Sequence, residues 1–381
     1  MIRRIFLYAL LPGLILLPWL AWETDRNMVR RWAYPLKGWV AAASTRCDGE
    51  APAWVERAAR TMAVDHSSPA NQLAYVTPDG VRLGCVNGWQ GLPWLSPRIT
   101  EQTSFRLASL SKIVTFMGVI QGLGDGDGWL DQPAVQVLEV PPPYTDARVT
   151  QIRIRQLVNH SGGFDRMRAE DSMVIRDKKP WCPGEIEKLA SIRLQFDPGT
   201  QTSYSNIGYC LLAAAYAKKT GKKFEEVLKQ EAGISRYGIG YLRERDSPVE
   251  FNFMNEGFYD ASFTRYFDWQ ALTSSMGMTG SAAGLADFIQ ANRKGLQIAQ
   301  AMHDTATCNE SQYLRCMDGF LARQRVDGKL LWSQGGYLYG MSALFLLDEE
   351  GRMLIWLGAG TATSRAEARR YIEREFLAGR S

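Results

Sequence analysis

Hydrophobic positions follow three regimes along the chain. The first is continuous. Arg3 and Arg4 precede Ile5 to Trp22, 18 residues without a charge. At helical rise such a run spans roughly 27 Å, about one bilayer core. Residues 1–25 are therefore expected as a membrane anchor or a signal peptide. A cleaved signal needs small residues soon after the apolar core, and Leu20-Ala21-Trp22-Glu23 lacks them. The small cluster Ala41–Ala43 lies too far on. An uncleaved anchor is the expectation. Pro12 and Pro18 would kink it, which keeps the signal peptide as the alternative. Either reading leaves the arginines inside and the rest of the chain outside the cytoplasm, at the cell membrane or secreted to the periplasm.

The second regime is strand-like and sits near both ends. Gln72–Thr77 and Val81–Val86 flank Pro78-Asp79-Gly80 and predict a hairpin. Met341–Leu347 and Met353–Leu357 flank Asp348-Glu349-Glu350-Gly351 and predict another. The third regime is helical. Ala51–Ala63, the mostly apolar Ala108–Gly122 and the charged, amphipathic Arg365–Leu377 read as helices, and 130–275 reads as mainly helical with long loops. Residues 26–46 read as a linker. Strands at both ends with helices between them predict an α/β (α+β) domain over 47–381, its one sheet built from both termini and a helical lobe inserted at about 123–275.

Composition narrows the class. With 44 basic and 40 acidic residues the net charge is +4, and no basic block occurs, which argues against nucleic acid as a partner. The six cysteines form no C-x-x-C pair and suit an oxidising compartment. Cys308 and Cys316 close a short polar loop and are expected to pair. Cys47–Cys85 and Cys182–Cys210 are the remaining pairing, with buried free thiols as the alternative for the last two. H-E-x-x-H, G-x-S-x-G, P-loop and G-x-G-x-x-G patterns are absent, so neither a metal nor a cofactor is implied.

Three elements carry candidate chemistry. Ser109-Leu110-Ser111-Lys112 opens an apolar helix, with Ser109 and Lys112 three apart on one face. A helix amino terminus stabilises an alkoxide and disfavours the protonated form of a buried amine, so Ser109 reads as nucleophile and Lys112 as base. The plain alternative is a serine cap before a surface lysine. Tyr204-Ser205-Asn206 leads into the apolar run Ile207–Ala215. A phenol near an amine relays protons, and an asparagine amide both donates and accepts; alternatively it is a helix cap with a buried aromatic. Gln334-Gly335-Gly336 precedes Tyr337 and a strand. Its glycines permit close approach of a ligand, and a strand N–H there would join that of Ser109 as an oxyanion hole.

These segments in this order resemble the serine β-lactamase and penicillin-binding protein superfamily, in its class C-like branch. Phe105–Lys112 resembles the nucleophile segment, Val149–Phe164 the His-x-Ser-Gly loop, and Asp197–Tyr209 the Tyr-Ser-Asn segment. The resemblance runs from about residue 51 to the carboxyl end. It implies a β-lactamase/transpeptidase-like fold, an antiparallel sheet flanked by helices plus the inserted lobe. It implies a serine hydrolase of esterase, amidase or DD-peptidase type, working through an acyl-enzyme on Ser109. Lys112 and Tyr204 would share acid and base roles; Asn206, Gln334, Gly336 and Tyr337 would bind substrate; His160 would be structural. The third motif departs from the family, which carries Lys or His where Gln334 stands. That loss of charge points to a neutral or differently anchored ester or amide, cell-wall-peptide-like substrates among the candidates. The alternative is a catalytically impaired binding or sensor protein tethered to the membrane, or a scaffold keeping the fold. Phe258, Tyr259, Phe263, Tyr266, Phe267 and Trp269 form an aromatic segment that would wall the cleft or pack the core.

Overall fold

The computed structural model describes residues 16–123, 128–166, 168, 171–175, 178–242, 267–303, 308, 316–338, 340–360 and 364–379. An eight-stranded antiparallel sheet has the order β1-β3-β2-β11-β10-β9-β8-β7. Its members are β1 (Arg46–Cys47), β2 (Ala70–Val76), β3 (Arg82–Gly88), β7 (Met317–Asp318), β8 (Leu321–Val326), β9 (Lys329–Leu338), β10 (Met341–Asp348) and β11 (Met353–Ala359). A small sheet joins β4 (Phe105–Arg106), β6 (Met278–Gly280) and β5 (Gly240–Tyr241). Strands from the two ends of the chain meet where β2 pairs with β11, Ala70 opposite Ala359 and Val76 opposite Met353. Both expected hairpins form.

The sheet is covered on both faces, so its central strands are apolar at nearly every position. Leu73, Tyr75, Leu344, Leu346, Leu354 and Trp356 point to one face. Their neighbours Ala74, Val76, Ala343, Phe345, Ile355 and Leu357 point to the other. Of the main helices, α1 is Arg26–Ala43, α2 Ala53–Val64, α3 Ser111–Leu123, α4 Ile207–Thr220, α5 Ala282–Ala291 and α6 Arg365–Ala378. Helices α2 and α6 cover the first face, while α3, α4 and α5 form the larger core on the second. The lobe between α3 and β6 is mostly short helices and loops, with β5 the one strand among its described residues.

Three expectations are corrected. Residues 26–46 are no linker: α1 packs on α2, since Tyr34 bonds the Ala63 carbonyl and Ala41 and Ala42 lie against Ala63. Gly38 makes this possible, because a Cβ there would lie 2.7 Å from the Ala63 oxygen. The helix expected from Ala108 starts with a 3-10 turn, Ala108–Leu110, and becomes α-helical at Ser111. The glycines of the third motif lie inside ten-residue β9 and not ahead of a strand. No helix among the described residues is long and apolar enough to cross a membrane. Most of the expected anchor, residues 1–15, lies outside the described residues, as do Phe258, Tyr259, Phe263 and Tyr266. Phe267 and Trp269 pack into the core. Disulfides join Cys47–Cys85, Cys182–Cys210 and Cys308–Cys316.

Candidate active site

Ser109 sits where the chain is forced into a tight corner. Ala108 before it has φ 47°, left-handed backbone that an alanine occupies only when its surroundings impose it. Buried neighbours Leu107 and Leu110 pin the corner from both sides. The turn delivers Ser109 to a cleft of about 280 Å³ between lobe and sheet. The Tyr204 hydroxyl donates to Ser109 Oγ at 2.6 Å, a separation at which two hydroxyls exchange a proton.

Lys112, one turn further on, is fully buried. Its Nζ donates to Asn206 Oδ1 and to the Ser275 carbonyl, each at 2.8 Å. Burial holds its pKa well below the usual 10.5; the Asp171 charge opposes this shift and the Arg166 charge adds to it. An uncharged amine has two N–H groups, and these two acceptors use both, so its lone pair remains to take a proton. That Nζ lies 4.8 Å from the centre of the Tyr204 ring.

Asn206 occupies the position before α4 where an asparagine normally caps the helix, yet its side chain makes no cap bond. Its Nδ2 instead donates to Asp171 Oδ2 at 2.7 Å, which leaves Oδ1 facing the lysine. His160 brackets Tyr204. Its Nδ1 accepts the Ser205 N–H at 3.1 Å, its carbonyl accepts the Ser203 N–H at 2.9 Å, and its ring lies 4.5 Å from the Tyr204 ring. Burial first, with the Arg166 charge adding to it, holds the imidazole pKa well below 6.5, so His160 is a neutral positioning group.

Strand β9 forms the opposite wall. Gly336 permits its approach, since a Cβ there would lie 2.9 Å from the Leu107 carbonyl oxygen and 3.3 Å from Ala108 Cβ. Pairing of β9 with β8 ends at Ser333, so residues 334–338 run on beside the Ser109 turn. Gly336 and Tyr337 line the cleft. Gln334 does not. It is buried behind the nucleophile turn, where Nε2 donates to the Ser109 carbonyl at 3.3 Å, and its Oε1 has no partner among the described residues.

The structure thus brings Ser109, Lys112, Tyr204, Asn206, Gly336 and Tyr337 together and sets Gln334 apart as support. Sequence reasoning missed Asp171, the Ser275 carbonyl, Arg166 and Arg365. Arg166 lies 4.7 Å from the centre of the Tyr204 ring, and Arg365 lies 3.9 Å from that of Tyr337; both line the cleft. No motif marks them, because loop and helix packing alone bring them there. Among the described residues one group, His303, Cys308 and Cys316, has metal-ligand chemistry at close range, and its sulfurs are joined in a disulfide.

Comparison with known proteins gives the family and the fold. The sequence model of the Beta-lactamase family matches residues 93–377. The chain is 32% identical over 343 residues to a fimbrial assembly protein FimD, serogroup D, of Dichelobacter nodosus, covering 88% of this chain and 86% of that one. It is 27% identical over 173 residues to the D-alanyl-D-alanine-carboxypeptidase/endopeptidase AmpH of Escherichia coli K12, covering 44% of this chain and 43% of that one. Its fold is similar to that of a D-amino acid amidase from Ochrobactrum anthropi SV3, with TM-score 0.64, 20% identity, and 82% and 95% of the two chains covered.

Proposed function

This chain belongs to the β-lactamase family of serine hydrolases, and from that membership we propose that it cleaves an ester or amide bond of a small, peptide-like substrate through an acyl-enzyme on Ser109. The reading rests on one observation, the 2.6 Å contact between Tyr204 and Ser109 beside a buried amine with two acceptors. Ser109 Oγ attacks the carbonyl carbon while its proton passes to the Tyr204–Lys112 pair. The N–H groups of Ser109 and Tyr337 receive the developing oxyanion. The protonated pair then gives its proton to the leaving group, and water releases the acyl group by the reverse path.

Gln334 brings no charge to the cleft, and the arginines that line it are Arg166, Arg365 and Arg369, the last of them paired with Glu373. A substrate carrying a carboxylate away from the scissile bond suits that arrangement. The three disulfides support an exported domain. The run Ile5–Trp22 would tether it. The test is labelling with a fluorophosphonate followed by mass mapping. Wild type should carry one adduct on Ser109 and Ser109→Ala none; equal labelling of both would reject the nucleophile.

A further inference from the structure

Helix α1 is apolar on two opposite faces, and among the described residues only one is used by the fold. Tyr34, Gly38, Ala41 and Ala42 face α2. On the opposite side Trp32, Leu36 and Trp39, spaced four and three apart and so on one stripe, are 72%, 74% and 70% exposed. The helix carries Arg30, Arg31 and Lys37 and no acidic residue. It continues a helical stretch, 16–24, whose Leu16, Leu17, Trp19, Leu20 and Trp22 are also exposed. The Arg30 guanidinium lies 5.5 Å from the centre of the Trp22 ring, and Arg31 reaches Asp25 at 3.7 Å, so the two segments are tied together. Beside the far end of α1, Ser44 Oγ accepts the Gly88 N–H at 2.8 Å. The loop that leaves β3 there exposes Leu92, Trp94 and Leu95.

We propose that this surface is a membrane-docking face, by which the folded domain lies on an anionic bilayer with the α1 stripe and the Leu92–Leu95 loop immersed at the headgroup level. Three features favour a bilayer over a protein partner. The stripe begins ten residues after the uncharged run Ile5–Trp22, which as an anchor would deliver this end of the domain to a membrane. Tryptophan and leucine next to arginine and lysine are the side chains of an interfacial helix. Exposed Arg30 and Arg31 near the start of the helix offer positive charge to anionic headgroups, whereas Lys37 is half-buried and its pKa is lowered by burial to about 8. The inference stands apart from the hydrolase reading: a domain held flat presents one fixed side to the membrane whatever bond it cleaves.

The test uses the full chain with a spin label. No free cysteine competes, since all six are paired. Labels go on Leu36→Cys, on Leu95→Cys and, as a control, on Lys218→Cys of the lobe. Accessibility to oxygen and to a water-soluble nickel complex is measured with and without vesicles of phosphatidylethanolamine and phosphatidylglycerol. The oxygen-to-nickel ratio should rise several-fold at 36 and 95 and stay constant at 218, and raised salt should reduce the rise. Unchanged aqueous values at 36 with vesicles present would overturn the proposal. So would spin–spin contact between two labels at 36 without lipid, which would make the occupant a second copy. Equal immersion in phosphatidylcholine vesicles at high salt would remove the role given to the basic residues.

Discussion

On the lobe side of the cleft, Lys112 and Asn206 are buried and Tyr204 is half-buried, each held by a hydrogen bond to a named partner. On the sheet side, residues 335–337 offer two glycines and a tyrosine under an exposed arginine. The first wall works at low dielectric, where an amine is kept uncharged by burial and each of its two N–H groups has an acceptor. The second works in water, where a cation is screened and each contact contributes little. Chemistry and recognition are therefore separated in this molecule, and substitutions on the two walls should differ in kind as well as size.

The largest effect belongs to the lobe wall. Lys112→Met keeps an apolar stem of similar length and removes the base, so acylation should slow by about 10²–10⁴-fold. Stability should change with pH in a defined sense. The native amine titrates well below 10.5, while the unfolded chain keeps the ordinary value. Between those values the unfolded state binds a proton that the native state does not, so wild-type stability rises as pH rises. Thermal unfolding of wild type should gain on Lys112→Met as pH climbs through this window, and parallel curves would break the claim of a neutral lysine. A smaller effect belongs to the sheet wall. Arg365→Gln should raise KM for a carboxylate-bearing substrate by roughly three- to tenfold, a charge-assisted bond discounted for solvent, and leave kcat and neutral esters unchanged. An equal loss on neutral esters would merge the two walls into one machine.

What the chain discloses in one dimension follows the same division. The β10–β11 hairpin was legible because continuous apolar runs flank a turn, and Ser109, Lys112, Tyr204 and Asn206 because short local spacings carry them. The β8–β9 hairpin was overlooked although Asp327-Gly328 marks its turn, both residues having positive φ. Helix α1 read as a linker because apolar residues on two faces blur a helical period. Asp171 and Arg365 reach the site from distant segments, and no local pattern encodes that approach. Gln334 reads as substrate-binding because the resemblance sets it where the family carries Lys or His, whereas the strand turns its side chain behind Ser109.

The central claim is an uncharged Lys112 poised beside Ser109 and Tyr204. Its direct test is the pH titration of the Lys112 side chain by carbon NMR of lysine-labelled protein, the resonance assigned by its loss in Lys112→Met. A midpoint well below 10.5, apart from the surface lysines, is the expected result. A Lys112 resonance titrating together with the exposed lysines would contradict the account.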